Sequence, residues 1–521
     1  MDQITKHKLD RAADDLIASI DPSKVCELAS SFHPDKRPCR VFSKWKKGSY
    51  KVCFPIIFSQ DESLDGEKWM VRIPLLPRLA FPEEKMRSEI ATMKYVKSLL
   101  KQYTMLTGTD ISWRKPRSLS LIYTDTRSTT TMSLASHSCL RREKREHIYT
   151  QLGSVYIQLY QQQFDRIGAL TLDDDGHWEF GNNRPLTVDI KEQEIGGLDV
   201  CSYLPLSPHQ TFVSTIDYVF MLVRLMFNDF YRGRDSIVSE EDARNYLFSL
   251  YACQGILMEW VNPEYNGGPF ILMHGDLSPP NIVIDDEFNI ISILDWEWSS
   301  TIPAQLFVPP SWLTNLEAVQ FSEALLSLPY YAAAREFMRV VYRLEWKLSR
   351  KSMADCPLDK LWSALRHSNA MIIPHGLLKP HDFGSVYWNA LDRQYYGYNS
   401  NERVETFFNL SIRQSDLQAE VLQAMRGVLG KKDEPTVGKA AESGYYQRRE
   451  SVNSTAVVLE VRRHGLVPII PSQPHNASMD LNTALAIFVG SVPTKSSNSI
   501  GDTICASSDS SDAWSVPSNL S

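Results

Sequence analysis

The stretch from Pro269 to Trp298 constrains the fold most, because it carries a strand pattern inside a region of helical periodicity. Two short apolar runs, Asn281 to Ile284 and Ile290 to Leu294, are joined by the polar turn Asp285 to Asn289, which is typical of a β-hairpin. On both sides apolar residues recur at helical spacing, beginning with Ile148, Leu152, Val155 and Leu159. The pattern predicts a large helical region, residues 126–430, that holds one hairpin.

The N-terminal part of the chain has a different pattern. A helical lead-in, residues 1–39, precedes three short strand-like runs, Val41 to Trp45, Tyr50 to Phe54 and Lys68 to Pro74. A helix from Glu84 to Leu100 is then predicted, because its apolar residues form one stripe (Met86, Ile90, Met93, Val96 and Leu100). Together the two regions predict an α+β fold of two lobes, with a small β-rich N-lobe at residues 40–125.

The C-terminal stretch, residues 431–521, differs in composition from the rest. Its last 28 residues, Thr494 to Ser521, contain 10 serines and no helical stripe. Such a segment buries too little apolar surface to offset its own ordering entropy. We expect a disordered tail there.

Charge and cysteine usage limit the possible partners and compartments. Lys and Arg number 55 against 62 Asp and Glu, a net charge of −7, so nucleic acid is not an expected partner. No apolar run approaches the roughly 18 residues of a membrane span, and no secretory signal is visible. The eight cysteines include no C-x-x-C pair, which argues against a zinc site or a disulfide framework. We expect a cytoplasmic protein that does not bind membranes.

The ends of the predicted hairpin carry side chains suited to chemistry. Asn281 opens one strand, Asp295 ends the other, and Asp276 lies just before two prolines that stiffen the loop. Amide and carboxylate oxygens are ligands that Mg²⁺ prefers. Phosphoryl transfer needs such a metal and a carboxylate that receives a hydroxyl proton. The catalytic loop of kinases also has an Asp that is followed directly by Leu and, five positions after the Asp, by Asn.

Several neighbouring residues allow two interpretations. Asp276 could be a solvated turn residue, although its apolar context disfavours this. His274 could be a metal ligand in an H-x-D pair, but with no further His or Cys cluster nearby it is better explained as a brace for the loop. Glu297 fits a surface charge and a site residue equally well. Trp296 and Trp298 are more typical of core than of a ligand cage.

The motifs H-G-D-L-x-x-x-N at His274 to Asn281 and L-D-W-E at Leu294 to Glu297 resemble those of the aminoglycoside phosphotransferase and choline kinase branch of the protein-kinase-like fold. Ile302-Pro303 and Val308 to Leu313 are similar to a fungal-type, mostly uncharacterised subgroup of it. Gly275 stands where protein kinases usually carry Arg, and neither D-F-G nor A-P-E is present, so the resemblance implies a small-molecule phosphotransferase. It covers roughly Phe42 to Gly397.

The resemblance implies a role for each matched residue. Asp276 matches the catalytic base, and Asn281 and Asp295 match the Mg²⁺ ligands. Gly48 and Ser49 take the place of the loop that covers the phosphates, although a single glycine is a weak signal. Arg72 takes the place of the basic residue that holds the ATP phosphates, with Lys68 as its rival.

Glu89 can be placed by geometry. It shares the buried stripe of the predicted helix, three residues after Met86 and four before Met93. A lone carboxylate on an apolar face needs a partner, and Arg72 would supply it in a strand–helix ion pair. The alternative is that Glu89 reaches solvent beside Arg87.

One segment departs from the family pattern. The expected hinge strand, Leu119 to Tyr123, is followed by the polar run Thr124 to Thr131 with no glycine. Either the nucleotide pocket is modified, or this stretch is not what the folded protein carries.

From the motifs together we expect an ATP- and Mg²⁺-dependent phosphotransferase acting on a small-molecule hydroxyl. The alternative is a pseudokinase that uses the same fold as a binding module, and a protein kinase is the third and weakest candidate.

Overall fold

The computed structural model of the chain consists of two lobes joined around one helix. It describes residues 3–59, 66–100, 117–118, 142–173, 175–180, 183–204, 206–233, 237–314, 316–348, 357–365, 371–409, 414–429, 458–462 and 465–469.

The small lobe is built on an antiparallel sheet. Its long central strand, β3 (Lys51–Phe58), pairs along its whole length with β4 (Glu67–Pro74). The other edge of β3 pairs with two short strands, β1 (Arg40–Val41) and β2 (Lys46–Lys47). The predicted strand Val41 to Trp45 is therefore interrupted, because the register shifts by two residues between β1 and β2.

The helical lead-in belongs to the small lobe. It forms α1 (Gln3–Ser19) and α2 (Pro22–Phe32). Asp21 precedes α2 as its N-cap, and its side chain accepts from the Ser23 backbone N–H. Both helices bury their apolar stripes with the sheet. The members of this small core are Ala13, Ile17, Val25, Ala29, Phe32, Val52, Phe54, Ile56, Phe58, Trp69, Val71, Ile73 and Leu75.

Helix α3 (Pro82–Leu99) connects the lobes. Its apolar residues Ile90, Met93 and Val96 pack into the core of the large lobe rather than into that of the small one. At its start, the buried Arg184 of the large lobe donates to both carboxylate oxygens of Glu84, at 3.0 and 2.9 Å. Helix α3 is thus fixed to the large lobe while it faces the small-lobe sheet.

The large lobe is mainly helical, as predicted. The longest helices form a single apolar core, in which α4 packs against α10 through the edge-to-face pair Tyr149 and Phe337. The helices that follow α3 are α4 (Arg142–Tyr160), α5 (Val188–Ile195), α6 (Val200–Tyr203), α7 (Thr215–Arg232), α8 (Glu240–Trp260), α9 (Ala318–Ser322), α10 (Ala324–Leu348), α11 (Pro357–Leu365), α12 (Ile372–Leu378), α13 (Phe383–Val386), α14 (Asp392–Tyr396), α15 (Ser400–Asn409) and α16 (Gln414–Leu429).

The predicted hairpin forms as β10 (Ile282–Ile284) and β11 (Ile290–Ile293), and further short strands accompany it. The prediction of one hairpin was incomplete, because long-range pairing adds strands that local patterns do not reveal. The added strands are β5 (Arg117–Ser118) on β10, β9 (Phe270–Met273) between β6 (Gln163–Phe164) and β12 (Ser300–Pro303), and the pair β7 (Thr171–Leu172) and β8 (Trp178–Glu179).

The α+β class with a small strand-rich lobe and a large helical lobe is confirmed. Within the predicted C-terminal tail the structure describes one antiparallel pair, β13 (Val458–Arg462) and β14 (Gly465–Ile469). The disorder expected for residues 431–521 stays a prediction. The predicted hinge at Leu119 to Thr131 lies outside the described residues. None of the helices in the described ranges combines the length and apolar character needed to cross a bilayer.

The packing of α1 on the sheet generates the first prediction. Ile17 is 6% exposed, whereas Ile4 on the same helix is 67% exposed. We expect Ile17→Ala to lower the free energy of unfolding of the small lobe by about 2–5 kcal/mol, because it leaves a cavity in a packed core. Chemical denaturation followed by tryptophan fluorescence measures the change. Ile4→Ala is the matched control, and equal effects of the two substitutions would contradict the docked position of α1.

Candidate functional site

The hairpin register brings Asn281 and Asp295 to the same end of the two strands. Ile282 pairs with Ile293, and the backbone N–H of Leu294 donates to the carbonyl of Asn281 at 2.8 Å. Asp295 follows directly and takes a left-handed backbone conformation, with φ of 64°, which Asp tolerates better than most residues. The chain therefore turns sharply where the Asp295 carboxylate leaves the sheet.

The loop before the hairpin is held by His274, as the sequence interpretation favoured. Its Nδ1 accepts from the backbone N–H of Asp276 at 3.1 Å, so the ring proton lies on Nε2, which donates to the carbonyl of Leu294 at 2.7 Å. Burial lowers the pKa of His274 to about 4, and the neutral ring satisfies both bonds. His274 thus ties the Asp276 loop to the strand end that precedes Asp295.

Asp276 and Asn281 contact each other directly. Asn281 Nδ2 donates to the backbone carbonyl of Asp276 at 2.8 Å and to its Oδ2 at 3.2 Å. Burial raises the pKa of Asp276; the hydrogen bond from Asn281 opposes this, and the nearby charge of Asp295 adds to it. Asp276 is nevertheless an exposed residue, so only part of its carboxylate is removed from water. A carboxylate with a raised pKa is a better proton acceptor than one with an ordinary pKa.

The small lobe places a lysine against Asp295. Lys51, the first residue of β3, lies with its Nζ 2.7 Å from Glu89 Oε1, 3.2 Å from Asp295 Oδ1 and 2.9 Å from Glu297 Oε2. Burial alone would lower the pKa of Lys51, but the carboxylates, Glu89 first, raise it. The pKa of Asp295 is lowered, because Lys51 and Arg72 outweigh the effect of burial.

Glu89 lies on the buried face of α3, where it was predicted. It is fully buried, and burial alone would raise its pKa, but Lys51, Lys85 and Arg72 lower it. Arg72 Nη1 lies 3.8 Å from Glu89 Oε1, so the predicted partner is within ion-pair distance while Lys51 lies closer. The alternative in which Glu89 reaches solvent is excluded.

Lys85 and Glu297 complete what we call the junction cluster, which comprises Lys51, Arg72, Lys85, Glu89, Asp295 and Glu297. Lys85 forms a close ion pair with Glu297 and lies 3.6 Å from Glu89 Oε2. Glu297 is buried, which excludes the interpretation as a surface charge. The cluster holds three cations and three carboxylates, so its formal charges cancel.

Aromatic rings line the small-lobe side of the cluster. Tyr50 packs edge-on against Trp298 at 5.2 Å between centroids, and Lys85 Nζ lies 5.1 Å from the Trp298 ring. Lys191 Nζ is 4.1 Å from the Tyr50 ring, and burial lowers its pKa to about 8. Gly48 and Ser49 precede Tyr50 in the turn between β2 and β3, where Gly48 N–H donates to the Lys51 carbonyl at 2.8 Å.

Two of the cluster residues were not predicted from the sequence. Lys85 carries a signal, since it lies four residues before Glu89 on the same helical face. Lys51 carries only a weak one, a lysine at the start of an apolar strand directly after Gly-Ser-Tyr. The rival of Arg72, Lys68, is excluded from the cluster, because its ammonium lies over the ring of Phe42 at 5.8 Å.

The donor set fits a hard divalent cation. The carboxylates of Glu89, Asp295 and Glu297 lie within 4.8 Å of one another, and Glu89 Oε2 has no hydrogen-bond donor among the described residues. Asn281 contributes an amide at the same hairpin end. Oxygen ligands of this kind suit Mg²⁺, although Lys51 already neutralises part of the charge that would attract it.

Gly275 is required by the packing of the loop. A Cβ built there would lie 2.0 Å from the carbonyl oxygen of Trp298, far inside any allowed contact. An arginine, which protein kinases usually carry at this place, would not fit. The close approach of the two backbone segments therefore fixes glycine at this position.

A cavity of about 430 Å³ opens beside Asp276. One wall is the loop from His274 to Pro280, and the other is the segment from Phe307 to Trp312 together with the end of α12. Asp276 thus lies between this cavity and the junction cluster. A carboxylate in that position can accept a proton from a group bound in the cavity.

Comparisons with known proteins give no family. No protein-family model matches the chain, and no curated protein matches it. Among solved structures, the streptomycin–ATP–APH(2″)-IIa ternary complex aligns with a TM-score of 0.30 at 10% identity over 74% of this chain and 92% of that one.

Two further solved structures align at similar levels. A macrolide 2′-phosphotransferase from Brachybacterium faecium gives a TM-score of 0.26 at 13% identity over 65% of this chain and 92% of that one. A Plasmodium vivax ethanolamine kinase gives 0.26 at 11% identity over 66% and 81%.

The charge balance of the junction cluster generates the second prediction. We expect Lys51→Met to destabilise the protein by about 3–5 kcal/mol, because it removes the cation nearest Glu89 and leaves two cations for three buried or half-buried carboxylates. The double variant Lys51→Met/Glu89→Gln should lose less than the sum of the two single variants, since it removes both charges. Chemical denaturation of the four proteins measures the coupling. Lys68→Met, on β4, is the control and should change the free energy of unfolding by no more than about 0.5 kcal/mol. If the effects of Lys51→Met and Glu89→Gln simply add, the two residues are not paired.

The contact at Gly275 generates the third prediction. Gly275→Ala should lower the melting temperature by several degrees, because its Cβ must push the loop away from Trp298. Gly267→Ala is the matched control, since a Cβ there meets nothing within 4 Å. Differential scanning calorimetry compares the two variants. Similar melting temperatures would show that the two backbone segments do not approach as described.

Proposed function

We propose that this chain is an ATP- and Mg²⁺-dependent phosphotransferase of the protein-kinase-like fold, acting on a hydroxyl group of a small molecule. One observation carries the proposal. Asp276, Asn281 and Asp295 meet at one hairpin end, and Lys51 of the small lobe, ion-paired with Glu89 of α3, faces them. This is the set of groups that phosphoryl transfer requires.

Asp276 orients the acceptor and receives its proton. It borders the cavity in which a small molecule can bind, and Asn281 fixes its carboxylate. Its raised pKa suits a general base, which works best when its pKa approaches the working pH. His274 holds the backbone of the same loop and is the positioning residue for Asp276.

Asn281 and Asp295 would hold Mg²⁺, and their oxygens are the ligand type that it prefers. When bound, the ion supplies charge neutralisation at the phosphates. Asp295 is fixed by its left-handed turn and by Lys51, so it is presented at the lobe junction with little freedom to move.

Lys51 and Arg72 supply positive charge on the small-lobe side of the site. Both lie in the junction cluster with Glu89, and Gly48 and Ser49 lie in the turn next to Lys51. We assign the phosphates to this side, with Lys51 as the closer partner of Glu89. Arg72 keeps the role that the resemblance implies, as a second cation behind it.

One observation favours the pseudokinase alternative. Lys51 already forms an ion pair with Asp295, and the junction cluster is formally neutral, so a metal must displace an existing pair. A thermal-shift titration discriminates the two functions. Mg·ATP raises the melting temperature of an enzyme through mass action, whereas a protein that has lost its nucleotide site does not respond.

The fourth prediction tests the transfer itself. The full chain is incubated with Mg·ATP labelled at the γ-phosphate and a library of hydroxylated small molecules, and the labelled product is counted. Asp276→Asn should lower transfer by about 10²–10⁴-fold while the Mg·ATP thermal shift stays within error. Asp165→Asn is a matched substitution at a side chain that is 74% exposed, and it should change neither the transfer nor the thermal shift. Unchanged transfer by Asp276→Asn would remove Asp276 from its role as the base.

A further inference from the structure

The cavity beside Asp276 has walls that are mostly apolar. Its apolar lining includes Tyr156 and Leu159 of α4, Met273, Val308 and Leu378. Buried apolar walls bind an apolar surface by releasing water from both. About 430 Å³ is within the usual range of a small-molecule site.

Carboxylates are scarce in this lining. Among the described residues that line the cavity, only Asp276 and Glu317 carry one. Glu317 forms a close ion pair with Lys379 and caps the start of α9, and its side chain is 65% exposed. Asp276 is bonded to Asn281.

His375, a buried histidine in the cavity lining, adds no charge. His375 Nε2 lies 2.6 Å from the hydroxyl of Tyr330, and burial lowers the pKa of His375 to about 3. The ring is therefore neutral at the pH of a cell. With its hydroxyl at Asp276, a substrate that also carries an ammonium would meet no second carboxylate free of a cation among the described lining residues, because Glu317 is paired with Lys379. An unpaired buried charge is strongly disfavoured.

The apolar wall is preformed rather than assembled by a ligand. Trp362 Nε1 donates to the carbonyl of Phe307 at 2.6 Å, and the Tyr330 hydroxyl donates to the carbonyl of Pro309 at 3.3 Å. Pro309 and Pro310 restrict the backbone between these two anchors. The shape of this wall is therefore set by the large-lobe core.

We propose that the phosphate acceptor is an alcohol on a predominantly apolar, uncharged frame, and not a polyamine or a quaternary ammonium alcohol. The hydroxyl points to Asp276 and the frame lies between α4 and the Phe307–Trp312 wall. This inference rests on the proposed function and specifies its substrate class.

The fifth prediction uses two probes that differ by one terminal ammonium group. Octan-1-ol and 8-aminooctan-1-ol share the chain and the hydroxyl, and the second carries an ammonium at its far end. Isothermal titration calorimetry of the full chain without nucleotide measures both. We expect octan-1-ol to bind at least ten times more tightly, and the polycation kanamycin to show no saturable binding.

Substitutions at Leu378, which is half-buried in the wall, locate the binding. Leu378→Glu should reverse the preference in favour of 8-aminooctan-1-ol, because it supplies the missing carboxylate, and Leu378→Gln, of similar size and no charge, should not. Leu378→Trp should weaken the binding of octan-1-ol at least tenfold, because the larger side chain fills part of the cavity. Leu316→Glu gives the same test from a second half-buried wall position if a Leu378 variant does not fold.

Two results would overturn the inference: binding of 8-aminooctan-1-ol or kanamycin at least as tight as that of octan-1-ol, or no saturable binding of octan-1-ol. Because no nucleotide is present, these results concern the acceptor class alone. A separate incubation with labelled Mg·ATP tests transfer. Selective binding of octan-1-ol by a protein that transfers phosphate to no alcohol would contradict the proposed function and leave the apolar ligand class standing.

Discussion

The junction cluster is the interaction on which the rest of the structure depends. Its three cations come from β3, β4 and α3, and its three carboxylates come from α3 and the turn after β11. In a buried setting the attraction between such charges is strong, but so is the cost of removing them from water. In a cluster of balanced charge the attraction between the ions offsets the cost of removing them from water. The loss of one member leaves an excess of the opposite charge. The two lobes therefore share one electrostatic arrangement.

This arrangement couples the hairpin to the small lobe. Asp295 occupies a left-handed turn and contacts Lys51, while His274 links the same strand end to the Asp276 loop. A shift in β3 would change the charge around Asp295, and a shift in the loop would move Asp276 relative to the cavity. Phosphate or metal that enters the junction must exchange contacts within the cluster, since its carboxylates already have cationic partners.

The large lobe contributes a surface of a different character. Around Asp276 the balanced charges give way to an apolar cavity whose wall is anchored by Trp362 and Tyr330. The carboxylate of Asp276 stands at the boundary, with its pKa raised mainly by burial. A reaction placed there has charged groups on one side and an apolar frame on the other. This separation is the physical basis for assigning phosphates to the junction and the acceptor to the cavity.

The sequence by itself determined the features that depend on local spacing. It predicted the two-lobed α+β class, helix α3 with Glu89 on its buried face, and a hairpin with Asn281 and Asp295 at one end, because helical and strand periodicities act over a few residues. Only the tertiary structure decided which cation lies closest to Glu89. Lys51 is 38 positions from Glu89 and 244 from Asp295, and such contacts depend on how the lobes pack. The strands β9 and β12 and the cavity have the same origin, since distant segments meet there only after the core has formed.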